Sequence, residues 1–117
     1  MENLCIGINM YEYKALVVKV YDADTITVDI DLGFNTILKN QKIRLLGINA
    51  PEVRGEEREL GINARDKLRT KILSKNVVIR TKKDKKGKYG RWLAVIMLKE
   101  ENINQWLLKK GLAKPYD

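Results

Sequence analysis

The chain has 117 residues, of which 44% are hydrophobic and 32% charged, and these proportions are ordinary for one soluble globular domain. Its 23 lysines and arginines outnumber 15 aspartates and glutamates, and the net charge of +8 favours polyanionic partners, chiefly nucleic acid and secondly anionic membrane surfaces. No histidine and a single cysteine, Cys5, are present, which excludes histidine-ligated metals, imidazole catalysis, thiolate zinc sites within one chain and an internal disulfide.

The first residues show no sign of export. Glu2 stands where a signal peptide has positive charge, and no long apolar segment follows it. No stretch of the sequence approaches the roughly 20 apolar residues that a membrane-spanning helix needs. We therefore expect a cytoplasmic protein with no membrane partner.

Strands are predicted first along the chain. Residues 14–21 and 25–32 are rich in β-branched side chains, and the second segment alternates strictly between apolar and polar residues. A turn with two carboxylates, Asp22 and Asp24, separates them. A long, bent third strand is expected over 36–48.

Helical spacing follows this third strand. Leu60, Ala64, Leu68 and Ile72 recur at every fourth position and predict a helix over 60–74. The remaining predicted elements are strands 76–82 and 92–98 and a short helix 103–110 that ends at Gly111, a residue typical of a left-handed helix cap.

The element order β-β-β-α-β-β-α is typical of an OB-fold, a five-stranded β-barrel with, here, two helices packed outside it. The sequence contains no internal repeat and no low-complexity linker, so we expect residues 1–117 to form a single α+β domain, and a monomer. Trp92 and Trp106 have apolar neighbours, which favours core packing over base stacking.

Four local features have ordinary structural explanations when each is taken alone. Aspartates are common in turns because their side chains bind nearby N–H groups, which explains the pair at 22 and 24. Arg44, in an apolar strand, is compatible with a hydrated barrel face, Glu52 after Pro51 with a solvated loop, and Arg91 with an exposed strand end.

Together, these features resemble a known pattern. The segments "DADT", "IRLLGINAPE", "KYGR" and "GLAK" occur in the order and approximate spacing of the staphylococcal nuclease, or thermonuclease-like, family. The resemblance extends over about residues 15–114. It implies an OB-type barrel that cleaves DNA and RNA with calcium.

The resemblance also implies roles for single residues. Arg44 and Arg91 match the family's phosphate-binding arginines, and Glu52 matches its proposed general base. Phosphodiester hydrolysis needs positive charge beside the phosphoryl oxygens, which arginine supplies in a bidentate form. In a chain without histidine, a carboxylate is the natural base.

The implied calcium site departs from the family pattern. Asp24 matches a calcium ligand, but Asn49 stands where the best-known member has a second aspartate. An amide oxygen can still coordinate calcium, but the site has one negative charge fewer, so we expect weak binding in the roughly millimolar class. Ala50 replaces a threonine whose backbone carbonyl alone is a ligand, so this change should be mild.

The segment 80–88 carries six lysines and arginines. Taken alone it is compatible with a solvated hairpin tip, but beside a phosphate site it favours guidance of a nucleic-acid backbone. Its candidate backbone-binding lysines are Lys82, Lys83, Lys85 and Lys86. Lys88 and Tyr89 match family positions near the terminal phosphate of a bound nucleotide.

Three functions remain open from the sequence. The first is a calcium-dependent nuclease acting on DNA and RNA, with single strands preferred. The second is a catalytically silent nucleic-acid-binding OB module, and the third is an OB domain that binds an acidic protein. Retention of Arg44, Glu52 and Arg91 favours the nuclease, since neither alternative needs the whole set.

Overall fold

The segments rich in β-branched residues form strands, and the segment with apolar residues at every fourth position forms a helix. The structure is a computed structural model that describes residues 11–83 and 92–116. Its strands are β1 (Tyr11–Asp22), β2 (Thr25–Gly33), β3 (Thr36–Leu45), β4 (Ile48–Asn49), β5 (Asn76–Lys83), β6 (Trp92–Leu98), β7 (Glu101–Asn102) and β8 (Lys114–Pro115). Its helices are a 3-10 turn (Gly55–Glu57), α1 (Arg58–Ile72) and α2 (Ile103–Lys109).

Five of these strands form a closed barrel. β1 pairs with β2 and β5, β2 with β3, and β5 with β6, all antiparallel. A short parallel pairing of β3 with β6 closes the ring, and it joins Ile43 to Trp92 and Leu45 to Ala94. The predicted five-stranded OB-type barrel with two helices is confirmed.

The barrel interior is filled by the apolar residues that alternate along the strands. In β2, Ile26, Val28 and Ile30 are buried while the residues between them are only partly covered. Each such aliphatic side chain contributes about 1.5–3 kcal/mol when it leaves water. No helix within residues 11–83 and 92–116 is long and apolar enough to cross a membrane.

The buried face of α1 differs from the predicted one at a single residue. Ala64, Leu68 and Ile72 are buried as expected, but Leu60 is 63% exposed and Gly61 is buried in its place. A repeat of every fourth residue drifts around a helix with 3.6 residues per turn, so the stripe returns to the core through a three-residue step. The predicted role of Leu60 in the core is therefore wrong.

The third strand also differs from its prediction. β3 ends at Leu45, and Ile48 belongs to the separate strand β4, which pairs with β8. Gly47 has φ +80°, a left-handed conformation that cannot continue a strand and that favours glycine. Gly111, with φ +70°, follows α2 as predicted.

The two tryptophans have different environments. Trp106 packs partly buried against the core, as predicted. Trp92 is 38% exposed, so its predicted core position is wrong. It shares a strand face with the buried Ala94, but it is the first residue of β6.

One buried polar side chain connects α2 to the barrel. Asn104 donates from Nδ2 to the carbonyls of Leu46 (2.8 Å) and Ala94 (3.1 Å), and its Oδ1 accepts the N–H of Ile96 at 3.0 Å. Leu46 lies in the turn that follows β3. Asn104 therefore holds together α2, β6 and the turn that leads to the candidate site.

Replacing Asn104 with alanine should lower the free energy of unfolding by about 2–4 kcal/mol, because the Ile96 N–H and the Leu46 carbonyl lose their buried partner. Urea unfolding followed by fluorescence measures the change. Gln105→Ala, at an exposed neighbouring position of α2, is the matched control and should stay within about 0.5 kcal/mol. Equal effects of the two substitutions would show that the Asn104 bonds contribute little.

Candidate active site

A buried carboxylate ties the β1–β2 turn to the segment after β4. Asp24 is 7% exposed, and its Oδ2 accepts the N–H of Ala50 at 2.9 Å. The hydroxyl of Thr25 donates to the other carboxylate oxygen at 3.1 Å. A buried carboxylate is stable only when its oxygens are partnered, so these contacts fix both the side chain and the Ala50 backbone.

Arg44 completes this cluster. It pairs in register with Thr25 across β2 and β3, which places its side chain on the same face as the turn. Its Nη2 donates to the carbonyl of Ile48 at 3.3 Å and to Asn49 Oδ1 at 3.2 Å, and it lies 3.6 Å from Asp24 Oδ2. The side chain of Arg44 is 13% exposed and lies against the turn.

Asp22 brings a second carboxyl group to the cluster. Its Oδ1 accepts the N–H of Asp24 at 3.1 Å, the turn interaction that aspartate commonly makes. Burial first, and then the neighbouring Asp24 carboxylate, raise the pKa of Asp22 to about 7. The ordinary structural explanation of the turn, in which an aspartate side chain binds a nearby N–H, is therefore confirmed.

The C-terminal segment forms one wall of the site. Asn49 in β4 pairs with Lys114 in β8, and the N–H of Tyr116 donates to the carbonyl of Gly47 at 2.9 Å. The guanidinium of Arg44 lies 5.0 Å from the centre of the Tyr116 ring, within range of a cation–π interaction. Tyr116 is not among the predicted site residues, although it stands two residues after the "GLAK" segment.

Glu52 lies in the irregular segment between β4 and the 3-10 turn. Its side chain is exposed, and within residues 11–83 and 92–116 it makes no hydrogen bond or ion pair. Two residues later, Arg54 Nη2 donates to the hydroxyl of Tyr21 at 2.6 Å, and this bond raises the pKa of the Arg54 guanidinium, which stays charged.

The oxygen atoms of the cluster are chemically suited to calcium. Asp24 and Asn49 both approach the same nitrogen of Arg44, so their oxygens lie close together, and Asp22 contacts Asp24. Calcium takes oxygen ligands from carboxylates, amides and backbone carbonyls. In the part of the chain that the structure describes, no group of three or more His, Cys, Asp or Glu gathers, so the site is poor in charge.

Several predicted site residues lie outside the described residues. They are Arg91, Lys85, Lys86, Lys88 and Tyr89. Lys82 and Lys83 are the last two residues of β5, and the side chain of Lys82 is exposed. The roles proposed for all seven stay predictions.

A cleft of about 250 Å³ borders the site and is lined by Asn49, Ala50 and Pro51 together with residues of the 3-10 turn, α1 and the segment 111–114. Larger clefts of about 620 and 590 Å³ lie elsewhere, and none of the three clefts is lined by Asp24, Arg44 or Glu52.

Comparisons with known proteins identify relatives. Residues 42–117 match the family described as staphylococcal nuclease homologue. The thermonuclease of Staphylococcus hyicus is 34% identical over 109 residues, which cover 91% of this chain and 61% of that protein. The thermonuclease of Staphylococcus intermedius is 32% identical over 102 residues, covering 85% of this chain and 57% of that protein.

A third relative is an uncharacterized endonuclease of Haemophilus influenzae. It is 35% identical over 100 residues, which cover 86% of this chain and 51% of that protein. The chain thus spans between 51% and 61% of the length of these three relatives.

The raised pKa of Asp22 predicts a pH-dependent stability when a chelator is present. The folded state holds the proton more tightly than the unfolded state, whose pKa is near 3.8. The stabilisation of the folded state by protonated Asp22 is therefore fully present below pH 3.8 and is lost as pH rises through about 7. Asp22→Asn, which keeps the acceptor oxygen, should reduce that loss in urea unfolding between pH 4 and 8.

Asp31→Asn is the matched control, because Asp31 accepts the N–H of Gly33 at 2.8 Å in the same kind of turn but is exposed. It should leave the pH profile nearly unchanged. Identical profiles for the two variants would mean that Asp22 does not hold a proton in the folded protein.

Proposed function

This chain belongs to the family of staphylococcal nuclease homologues, and we propose that it is a calcium-dependent nuclease that hydrolyses phosphodiester bonds in DNA and RNA. The observation that carries the proposal is the meeting of Asp24, Arg44 and Asn49 at one end of the barrel. One guanidinium nitrogen lies 3.2 Å from the amide oxygen and 3.6 Å from the carboxylate oxygen. A fixed cation beside oxygen donors suits phosphate chemistry in a chain without histidine.

In this proposal the arginines bind the phosphoryl oxygens. Arg44 is held by its contacts with Ile48 and Asn49, so little conformational freedom is lost when a phosphate binds. Arg91 directly precedes Trp92, which pairs with Ile43, the neighbour of Arg44. Two guanidinium groups would spread positive charge over oxygens that become more negative in the transition state.

Glu52 is proposed as the general base. Its carboxylate takes a proton from water as the water oxygen forms a bond to phosphorus. The bond from phosphorus to the leaving sugar oxygen breaks, and that oxygen takes a proton from solvent. The exposed position of Glu52 gives it access to water.

The residues proposed to hold calcium are Asp24, the amide oxygen of Asn49 and the carbonyl of Ala50. When bound there, the ion would add positive charge beside the scissile phosphate, in keeping with the role of a hard cation. The chain's own contribution is to hold these oxygens in place, and the Asp24–Ala50 hydrogen bond of 2.9 Å does this.

The proposed substrates are flexible, largely single-stranded DNA and RNA. The chain carries a net charge of +8, and Lys82, Lys83, Lys85 and Lys86 are proposed to follow the backbone leading to the site. The alternative is a nucleic-acid-binding module without catalysis. Such a module has no need of Glu52, so substitution of this residue distinguishes the two functions.

Glu52→Gln should lower turnover of single-stranded DNA by about 10²–10⁴ with little change in affinity, because the amide cannot accept the proton. Release of acid-soluble nucleotides with calcium and with chelator measures it. Glu56→Gln makes the same charge change at an exposed residue of the 3-10 turn and should leave turnover unchanged. Full activity of Glu52→Gln would refute the assigned role, and an inactive natural protein that still binds DNA would favour the silent module.

Asn49→Asp should lower the calcium concentration needed for half-maximal activity, because it restores a carboxylate to a charge-poor site. Calorimetric titration of both forms gives the affinities directly. Asn76→Asp, exposed at the start of β5, is the control for the added charge. Tight binding by the natural protein, or no gain in Asn49→Asp, would mean that another group supplies the missing charge.

A further inference from the structure

Gly61 lies on the buried face of α1, directly against the backbone of Glu52. A Cβ atom at this position would collide with the Glu52 carbonyl group and would stand 2.8 Å from Val53 N. Side-chain carbons do not approach backbone atoms so closely. The absence of a side chain at position 61 is therefore what lets α1 and the Glu52 segment touch.

The conformation of Gly61 does not itself require glycine. It lies within the helix and has no positive φ, in contrast to Gly47, Gly55 and Gly111. Glycine inside a helix is unfavourable compared with alanine. Glycine is needed at position 61 because only a residue without a side chain leaves space for the backbone of Glu52.

A side-chain hydrogen bond also ties this segment to the end of β1. Arg54 donates to the hydroxyl of Tyr21 at 2.6 Å, and Tyr21 directly precedes Asp22 at the end of β1. The residues 52–54 are thus fixed between α1 and the strand end that carries the carboxylates. Glu52 itself has no side-chain partner in the described part of the chain.

From these contacts we propose that Gly61 is a positioning residue that sets the place of the Glu52 carboxylate through the Glu52 backbone, with the Tyr21–Arg54 hydrogen bond as the opposing tie. The inference rests on the proposed nuclease function for its catalytic consequence. The contact between Gly61 and Glu52 is a separate structural claim. A shift of the base by about 1 Å is enough to lower turnover on the order of 100-fold.

The decisive substitution is Gly61→Ala. The methyl group displaces the exposed, irregular segment rather than the packed helix, so we expect kcat on single-stranded DNA to fall about 10–100-fold with KM within about threefold. The melting temperature should change little, because the helix gains propensity while the segment moves. Thr70→Ala, on the exposed face of α1 and outside the cleft that contains Asn49, also raises helix propensity without the contact and should leave kcat unchanged.

A double-mutant cycle separates positioning from packing. In the Glu52→Gln background, Gly61→Ala should cause no further loss of kcat, because the group that it displaces no longer acts as a base. Losses that multiply in the double variant would overturn the proposal and leave Gly61 with a packing role only. If Gly61→Ala does not fold, Tyr21→Phe tests the opposing tie, with a smaller loss of kcat that should also vanish beside Glu52→Gln.

A measurement without catalysis tests the structural claim by itself. In Gly61→Ala the backbone amide resonances of Val53 and Arg54 should shift while those of the barrel strands stay in place. Unchanged resonances would overturn the proposal whether or not the protein cleaves DNA. Shifted resonances in a protein that shows no hydrolysis would support the contact and refute the nuclease function instead.

Discussion

The hydrogen bond from the Ala50 N–H to the buried Asp24 carboxylate is the contact on which the site depends. It joins the β1–β2 turn to the segment after β4, two parts of the chain that share no strand pairing. A carboxylate that is 7% exposed must keep its partners, so the geometry around it is nearly invariant in the folded state. Around this hydrogen bond lie Arg44, Asn49 and the segment that leads to Glu52.

The site contains a small cluster of acidic side chains in a protein whose net charge is positive. Asp22 and Asp24 lie together, with the pKa of Asp22 raised to about 7, while the chain as a whole carries a charge of +8. The overall field attracts a polyanion, and the local pair favours a cation at the same place. Asparagine at position 49 weakens the local attraction for a cation and leaves the net charge strongly positive. In the proposed function, selection of the ion and attraction of the polymer would therefore be set largely by different residues.

Much of the fold was predictable because alternation in the strands and helical spacing are local signals. The barrel order and the clustering of Asp24, Arg44 and Asn49 followed from them and from the motif resemblance. The features that were not predicted depend on packing between distant parts of the chain or on backbone conformation. Gly61, not Leu60, lies on the buried face of α1, against the backbone of Glu52 nine residues earlier, and Gly47 divides the third strand through a positive φ. Tyr116 lies beside Arg44 because β4 pairs with β8, and no periodicity in the sequence predicts that pairing.

The parallel seam between β3 and β6 has a consequence for how the molecule folds. It brings together Ile43 and Trp92, roughly fifty positions apart, through a pairing of only three residues on each strand. The β1–β2 hairpin and α1 are local and can form early, whereas the seam gains its contacts only after a long loop has closed. Folding should therefore be slow for a chain of this size, with barrel closure as the late step. Arg44 lies within that seam, so partly folded molecules lack its fixed position.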